Sequence, residues 1–196
     1  MSNKIKLFCF GFGLTAKYLV ELLLREKIDF DVAGTSRSEK KEKKIFYLED
    51  NNFDKDILEN LKTSTHVLIS VPPTTEDSII KYFSSILSES KNLVWIGYLS
   101  STSVYGNHQG EWVTEISDTR ATTETGSKRL LAEKKLLDTN LPLRIFRLSG
   151  IYSLERNIFQ RLKDKNYKMI NSKSQIFSRI HIEDIAKILL YSSKNQ

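Results

Sequence analysis

The chain has 196 residues, of which 40% are hydrophobic and 28% charged. That length and balance suit one globular domain and exclude a disordered tail, a collagen and a coiled-coil rod. Thirty Lys and Arg against 24 Asp and Glu leave a net charge of +6, which suits a phosphate-bearing ligand or simply a lysine-rich surface. The single cysteine, Cys9, excludes an internal disulfide and a cysteine-rich zinc site, and its apolar neighbours make it a buried, inert thiol. No apolar run nears the ~18 residues of a membrane span. The start, Met1 to Lys6, carries no cleavable signal, so a cytoplasmic, reducing location is expected.

Taken in chain order, short β-rich runs at Ile5–Phe10, Phe30–Gly34, His66–Val71, Leu93–Leu99 and Leu143–Leu148 alternate with helical patterns. The helices are predicted at Thr15–Arg25, Asp54–Leu61, Asp77–Leu87 and Ser127–Leu137, the first with Leu19, Leu22 and Leu23 on one side. Pro72 and Pro73 end the third run and Pro142 opens the last, where a missing ladder donor matters least. The lysine-rich stretch Glu39–Lys44 reads as a solvated loop or helix start. Strands alternating with helices predict an α/β fold with a parallel sheet covered on both faces; right-handed crossovers make it doubly wound.

After the first strand comes Phe10-Gly11-Phe12-Gly13-Leu14-Thr15-Ala16, a G-x-G-x-x-A pattern that leads directly into the first helix. Gly11 allows a tight turn, Gly13 removes the Cβ that would block a pyrophosphate, and Ala16 lets helix and strand pack closely. The helix start then offers N–H groups to phosphate. Gly11, Phe12, Gly13, Leu14 and Thr15 are therefore candidate cofactor-binding residues.

The second strand ends in Gly34-Thr35-Ser36-Arg37. An NAD site wants a carboxylate here for the ribose 2′-hydroxyl, and Asp29 and Asp31 lie too early in the strand. Hydroxyls followed by an arginine suit a 2′-phosphate. Thr35, Ser36 and Arg37 join the candidates, and NADP is expected over NAD. The alternative is that Arg37 only begins the basic loop.

Tyr98-Leu99-Ser100-Ser101-Thr102-Ser103-Val104-Tyr105-Gly106 gathers hydroxyls at a strand's carboxyl end, where doubly wound folds bind ligands. With the glycine turn, this segment resembles the extended short-chain dehydrogenase/reductase superfamily. Leu143–Tyr152 resembles that family's sixth strand, and Phe177–Ala186 the segment that returns to the nucleotide domain. Val71-Pro72-Pro73 and Ser178-Arg179-Ile180-His181 point to an atypical, NAD(P)-dependent epimerase/dehydratase-like branch. The resemblance implies a Rossmann fold over residues 1–196, with residues ~150–180 as a small substrate-side segment, at most a truncated C-terminal substrate lobe. It adds Ser70, Val71, Pro72 and Ser100 as cofactor-binding candidates.

The family's Tyr-x-x-x-Lys pair is missing. In Thr123–Glu133 two registers are open. Either Arg129 replaces the lysine and Thr125 the tyrosine, or Lys128 is the lysine and Glu124 stands at the tyrosine position. In the family a tyrosine moves the hydroxyl proton while hydride passes to or from nicotinamide. Ser101, four residues before Tyr105, matches the family's hydrogen-bonding serine. Arg129 could hold the ribose but cannot lose its proton, and Glu124 could act only if burial raised its pKa. Ser101, Glu124, Thr125 and Arg129 are thus the catalytic candidates, and no metal site is expected: His181, Glu183 and Asp184 read as a helix start. The leading reading is an NADP-dependent (NAD allowed) oxidoreductase or epimerase-like enzyme acting on a carbonyl or hydroxyl of a small, nucleotide-sugar-like substrate. The alternative is a catalytically weak or inactive NADP-binding regulatory module. A small-molecule substrate is the expected partner, with no nucleic acid and no membrane, and a homodimer is allowed.

Overall fold

The structure, a computed structural model, describes residues 4–38, 43–49, 52–71, 73–164 and 176–195. Its elements are β1 (Ile5–Phe10), α1 (Leu14–Arg25), β2 (Phe30–Ser36), β3 (Ile45–Glu49), β4 (Asn52–Phe53), α2 (Asp56–Thr63), β5 (His66–Ile69) and α3 (Pro73–Glu89). They continue with β6 (Trp95–Ser101), α4 (Glu124–Leu137), β7 (Leu143–Leu148), β8 (Gly150–Tyr152), α5 (Ile158–Lys163), β9 (Arg179–His181) and α6 (Ile182–Lys194).

Seven strands form one sheet in the order β4-β3-β2-β1-β5-β6-β7. All neighbours run parallel except the short β3–β4 edge pair. This is the expected doubly wound α/β fold. The strand alternation divides the core. Phe8 and Phe10 face α2, α3 and α4 through Ile57, Phe83 and Leu136, while Leu7 and Cys9 face α1 and α6 through Leu19, Leu23, Ile185 and Leu189. Each such fully buried side chain contributes about 1.5–3 kcal/mol of apolar transfer. Burial pushes the Cys9 thiol well above its ordinary pKa, in keeping with an inert core residue. Among the described residues no helix is long and apolar enough to cross a membrane.

Strands β1 and β7 have the predicted bounds. The others shift where a local partner decides the end. Thr123 accepts the Gly126 N–H at 3.1 Å and starts α4 three residues before the expected Ser127. β6 runs on to Ser101 because Ser100 and Ser101 pair with Arg147 and Leu148 of β7. β5 stops at Ile69, leaving Ser70 and Val71 beyond it. The short elements β3, β4, α5, β8 and β9 were not anticipated. Of these, β8 and β9 pair in parallel as a separate ribbon, Ile151 opposite Ile180 and Tyr152 opposite His181.

Candidate active site

The strand order reverses at β1, whose neighbours are β2 and β5. Crossovers leave this point to opposite faces, so a crevice opens at the carboxyl ends of β1 and β5. The glycine turn lies there. Gly11 has φ +85°, a left-handed conformation, and a Cβ on it would come 3.2 Å from both Ser70 Oγ and Val71 Cγ1. The turn is pinned from two sides. The Gly11 N–H donates to Thr35 Oγ1 (2.9 Å), the Phe12 N–H to the Thr35 carbonyl (2.7 Å), and Ser70 Oγ to the Gly11 carbonyl (2.7 Å).

Gly13 is different. Its backbone is extended, and a Cβ there would meet nothing within 4 Å. No side chain caps α1, and its first turn holds no acidic residue. Thr15 and Ala16 are buried, which seats the helix start against the sheet. Backbone N–H groups facing open space, with no Cβ in front of them, fit a pyrophosphate.

The expected hydroxyls at the end of β2 need correction. Thr35 is 1% exposed and its hydroxyl accepts from Gly11, so it supports the turn and does not face a ribose. Ser36 Oγ accepts the Ser38 N–H at 3.0 Å. Arg37, just past the strand, is exposed. Asp29 and Asp31 lie at the opposite edge of the sheet, where Lys4 and Lys44 pair with them at 3.2–3.8 Å. Ser70 and Val71 likewise act as supports: Ser70 holds the turn, and the Val71 carbonyl accepts from Arg129 Nη2 at 3.2 Å. Pro72 lies outside the described residues.

At the end of β6, Ser100 does not line the pocket as expected. It is 5% exposed and donates to Glu133 Oε1 at 2.5 Å. Glu133, on α4, also accepts from Arg147 of β7, at 3.2 Å from Nε and 2.8 Å from Nη2. Arg147 Nη1 donates to the Tyr105 phenol (3.1 Å) and the Glu115 carbonyl (3.2 Å). Three elements thus meet on one buried carboxylate, and Arg147 links the loop after β6 to it. Ser101 is half-buried and its Oγ accepts the Ser103 N–H (3.2 Å), while Ser103 Oγ is buried with no hydrogen-bond partner.

The two registers of α4 are now distinguished. Lys128 points outward and pairs with the exposed Glu124 at 2.7 Å. This overturns Glu124 as a general acid: the Lys128 ammonium holds its carboxyl below the usual range, and the slight desolvation at this exposed site does not offset that. Arg129 points inward, with Nη1 on the Leu99 carbonyl (3.0 Å) and the Tyr98 phenol (3.3 Å). The guanidinium therefore ties α4 to the carboxyl ends of β5 and β6. Thr125, one turn earlier, is exposed. Nearby phenols have other tasks. Tyr98 and Tyr105 accept from Arg129 and Arg147, and Tyr152 stacks edge-on against His181 at 5.0 Å. Glu183 and Asp184 stand in the first turn of α6, as their reading as a helix start requires.

Sequence reasoning gave no role to Glu133, Tyr18 or Glu155. The phenol of Tyr18 lies 3.0 and 3.2 Å from the Glu155 carboxylate oxygens. A pair 137 residues apart leaves no local signal.

No family model matches the chain, and no curated protein matches it. Solved structures do. A conserved protein of Silicibacter pomeroyi, described as functionally unknown, is 32% identical over 96% of this chain and 68% of its own, with a TM-score of 0.79. The UDP-N-acetylglucosamine 4-epimerase of Methanobrevibacter ruminantium, in complex with UDP-N-acetylmuramic acid, is 16% identical over 99% of this chain and 74% of its own (TM-score 0.75). The Bordetella bronchiseptica enzyme WbmH, in complex with NAD+, is 16% identical over 98% and 73% (TM-score 0.72).

Proposed function

We propose that the chain belongs to the NAD-dependent epimerase/dehydratase-like branch of the short-chain dehydrogenase/reductase superfamily, a reading supported by the fold it shares with solved structures, and that it is a cytoplasmic, NADP-preferring oxidoreductase or epimerase-like protein for a small substrate. The observation that carries this reading is the open space at Gly13, in front of an uncapped helix at the switch point of the sheet. A dinucleotide laid from Gly11–Leu14 towards Ser101 would have its pyrophosphate on the α1 N–H groups and its 2′-phosphate within the field of Arg37. Residues 150–180 form the substrate-side segment, and the substrate class is a carbonyl or hydroxyl compound of the nucleotide-sugar kind carried by the Methanobrevibacter enzyme.

A bound nicotinamide supplies the hydride chemistry. The chain's own groups orient the reactant and move the proton. Ser101 Oγ, with its acceptor side turned to the Ser103 N–H, can donate to a substrate oxygen. Arg129 fixes the strand ends on which Ser101 stands, and its cationic head is held between two carbonyls. Neither residue is a proton donor of suitable pKa near neutrality. Turnover is therefore slow and takes its proton through water.

A second reading, a cofactor-binding module without turnover, is favoured by the solvated Glu124 and by an arginine committed to protein acceptors. Calorimetry with NADPH and NADH, followed by NADPH oxidation against aldehydes, ketones and 4-keto sugars, separates the two. Tight NADPH binding with no oxidation selects the module; no binding of either dinucleotide removes both.

A further inference from the structure

Two apolar surfaces lie at the β7 end of the sheet, and no described residue covers either. One is the loop from 107 to 118, where Trp112 is 98% and Ile116 96% exposed. The other is α5 with the turn before it, where Leu154 is 86% and Phe159 73% exposed. Ile158 and Leu162, also exposed, stand four residues apart on one side of that helix. The loop follows β6, and Arg147 of β7 holds it through the Glu115 carbonyl at 3.2 Å. α5 follows β7 and β8. Ile176, just before β9, lies against the loop at Gly110, where a Cβ would come 2.7 Å from its Cδ1.

Both surfaces are held in shape. The Thr114 N–H donates to Ser117 Oγ (2.9 Å) and the Ser117 N–H to the Thr114 carbonyl (3.0 Å), closing the turn that presents Ile116. His108 Nε2 lies 3.2 Å from the Asp118 carbonyl across the base of the loop. Asn157 caps α5, its Oδ1 accepting the Gln160 N–H at 3.0 Å. Preorganised apolar side chains in solvent mark an interaction surface, because little ordering entropy is lost on docking.

The charges around the two surfaces are opposite. Glu111 and Glu115 are exposed beside Trp112 and Ile116, while Asp118 is neutralised by Arg120 at 2.8 Å. Arg156, Arg161 and Lys163 are exposed beside Leu154, Phe159 and Leu162. The acids of that segment are engaged locally: Glu155 accepts from Tyr18 and Ser153, and Asp164 from Gln160. An acidic rim around a tryptophan complements a basic rim around a phenylalanine. The chain carries both halves of this contact, and the exposure of Trp112 shows that one molecule does not bring them together.

We propose that a second copy of this chain makes the contact: the 107–118 loop of each copy docks on α5 of the other about a twofold axis. Such an interface uses the same patch on both copies. Trp112 and Phe159 from two copies, at about 150–250 Å² each, supply about 600–1,000 Å² of buried surface. The aliphatic side chains beside them carry the total towards the ~1,200–2,000 Å² of a stable interface. The contact needs no cofactor.

Sedimentation velocity on the full chain from about 1 to 100 µM, where interfaces of this size assemble reversibly, is the test. The wild type should pass from monomer to dimer. Iodide quenching should fall as it does, because Trp112 becomes covered and the other tryptophan, Trp95, is only 2% exposed throughout. Trp112→Ala should weaken dimerisation about tenfold or more, as loss of a central interface tryptophan does. Two charge-reversed proteins, Glu111→Lys/Glu115→Lys and Arg161→Glu/Lys163→Glu, should each lose it to at least the same extent. Mixed in equal amounts, those two should form a heterodimer, since both loop–helix contacts then pair opposite charges. Circular dichroism and thermal midpoints check that each variant is folded. A wild type that stays monomeric overturns the proposal, as does a dimer that none of the variants weakens or a mixture that stays monomeric. Protection of Trp112 that does not change on dilution means that the loop is covered within one chain, and overturns it as well.

Discussion

Arg147 Nη2 lies 2.8 Å from Oε2 of Glu133, a carboxylate that is 1% exposed. The pair joins α4 to β7, and through Ser100 it also fixes β6. It sets the helical register that turns Arg129 inward and leaves Lys128 in solvent. The orientation of Arg129 thus depends on a contact between two other residues, Glu133 and Arg147.

Breaking that pair should be costly. Glu133→Ala leaves the Arg147 guanidinium and the Ser100 hydroxyl without their shared acceptor, and removal of one partner of a buried pair typically costs about 3–5 kcal/mol. Lys128→Ala, at an exposed i,i+4 pair, should cost no more than about 0.5 kcal/mol. Guanidinium denaturation of both variants is the check. Equal losses would mean that Glu133 is not the anchor of α4.

The two glycines of the nucleotide turn should separate fold from function. Gly11→Ala forces a side chain into a left-handed backbone and against Ser70 and Val71, at about 1–3 kcal/mol of stability. Gly13→Val meets open space, so unfolding free energy should move by about 1 kcal/mol or less, while NADPH binding by calorimetry is lost. Retained affinity in Gly13→Val would place the pyrophosphate elsewhere.

Arg37 should carry the preference for the 2′-phosphate. Arg37→Ala is expected to weaken NADPH by about 1.5 kcal/mol, the lower end for a hydrogen bond to a charged group because the residue is exposed, and to leave NADH unchanged. Equal loss for both cofactors would mean that Arg37 acts through the fold.

His66 gives the stability a pH dependence. Its ring is buried between α1 and α6, 2.8 Å from Thr65 Oγ1 and 3.4 Å from the Ser193 carbonyl. Burial lowers its pKa, and the Ser193 carbonyl only partly opposes this. The folded ring stays neutral where the unfolded one, titrating near about 6.5, takes a proton. Stability rises with pH where the unfolded state binds more protons. His66 therefore costs nothing above about pH 6.5, and stability is lost as pH falls from there through the depressed folded value. Urea midpoints from pH 7.5 to 5.0 should fall, and His66→Phe should flatten part of that fall.

The sheet was legible because its central strands are long apolar runs whose alternate residues both find cores; Phe8 and Cys9 are equally buried on opposite faces. Gly11 and Gly13 were legible because backbone geometry needs them. The hydroxyl residues were not. Thr35 and Ser100 sit where a ligand-binding hydroxyl would, and only their partners, Gly11 at 24 residues' distance and Glu133 at 33, show that they are structural. The six-residue α5 is too short for a helical periodicity to stand out.

The last expectation concerns turnover. The absence of a phenol at Thr125 removes the group that gives tyrosine-type reductases their proton, worth ~10²–10⁴-fold in rate. With Glu124 in solvent and held ionised by Lys128, Glu124→Gln should leave the NADPH oxidation rate within about twofold across pH 5–9, since a carboxylate with no contact to reactants contributes nothing to proton transfer. Ser101→Ala should lower whatever rate exists by about tenfold, as loss of a single oriented hydroxyl, about 1.4 kcal/mol, would do. A rate that falls as a group of pKa 6–8 loses its proton, and that Glu124→Gln abolishes, would restore Glu124 to the chemistry. A rate indifferent to Ser101→Ala would move the reacting carbonyl away from the end of β6. No oxidation with any carbonyl, beside intact NADPH binding, would leave a cofactor module, in which Ser101 serves only to cap the turn after the strand.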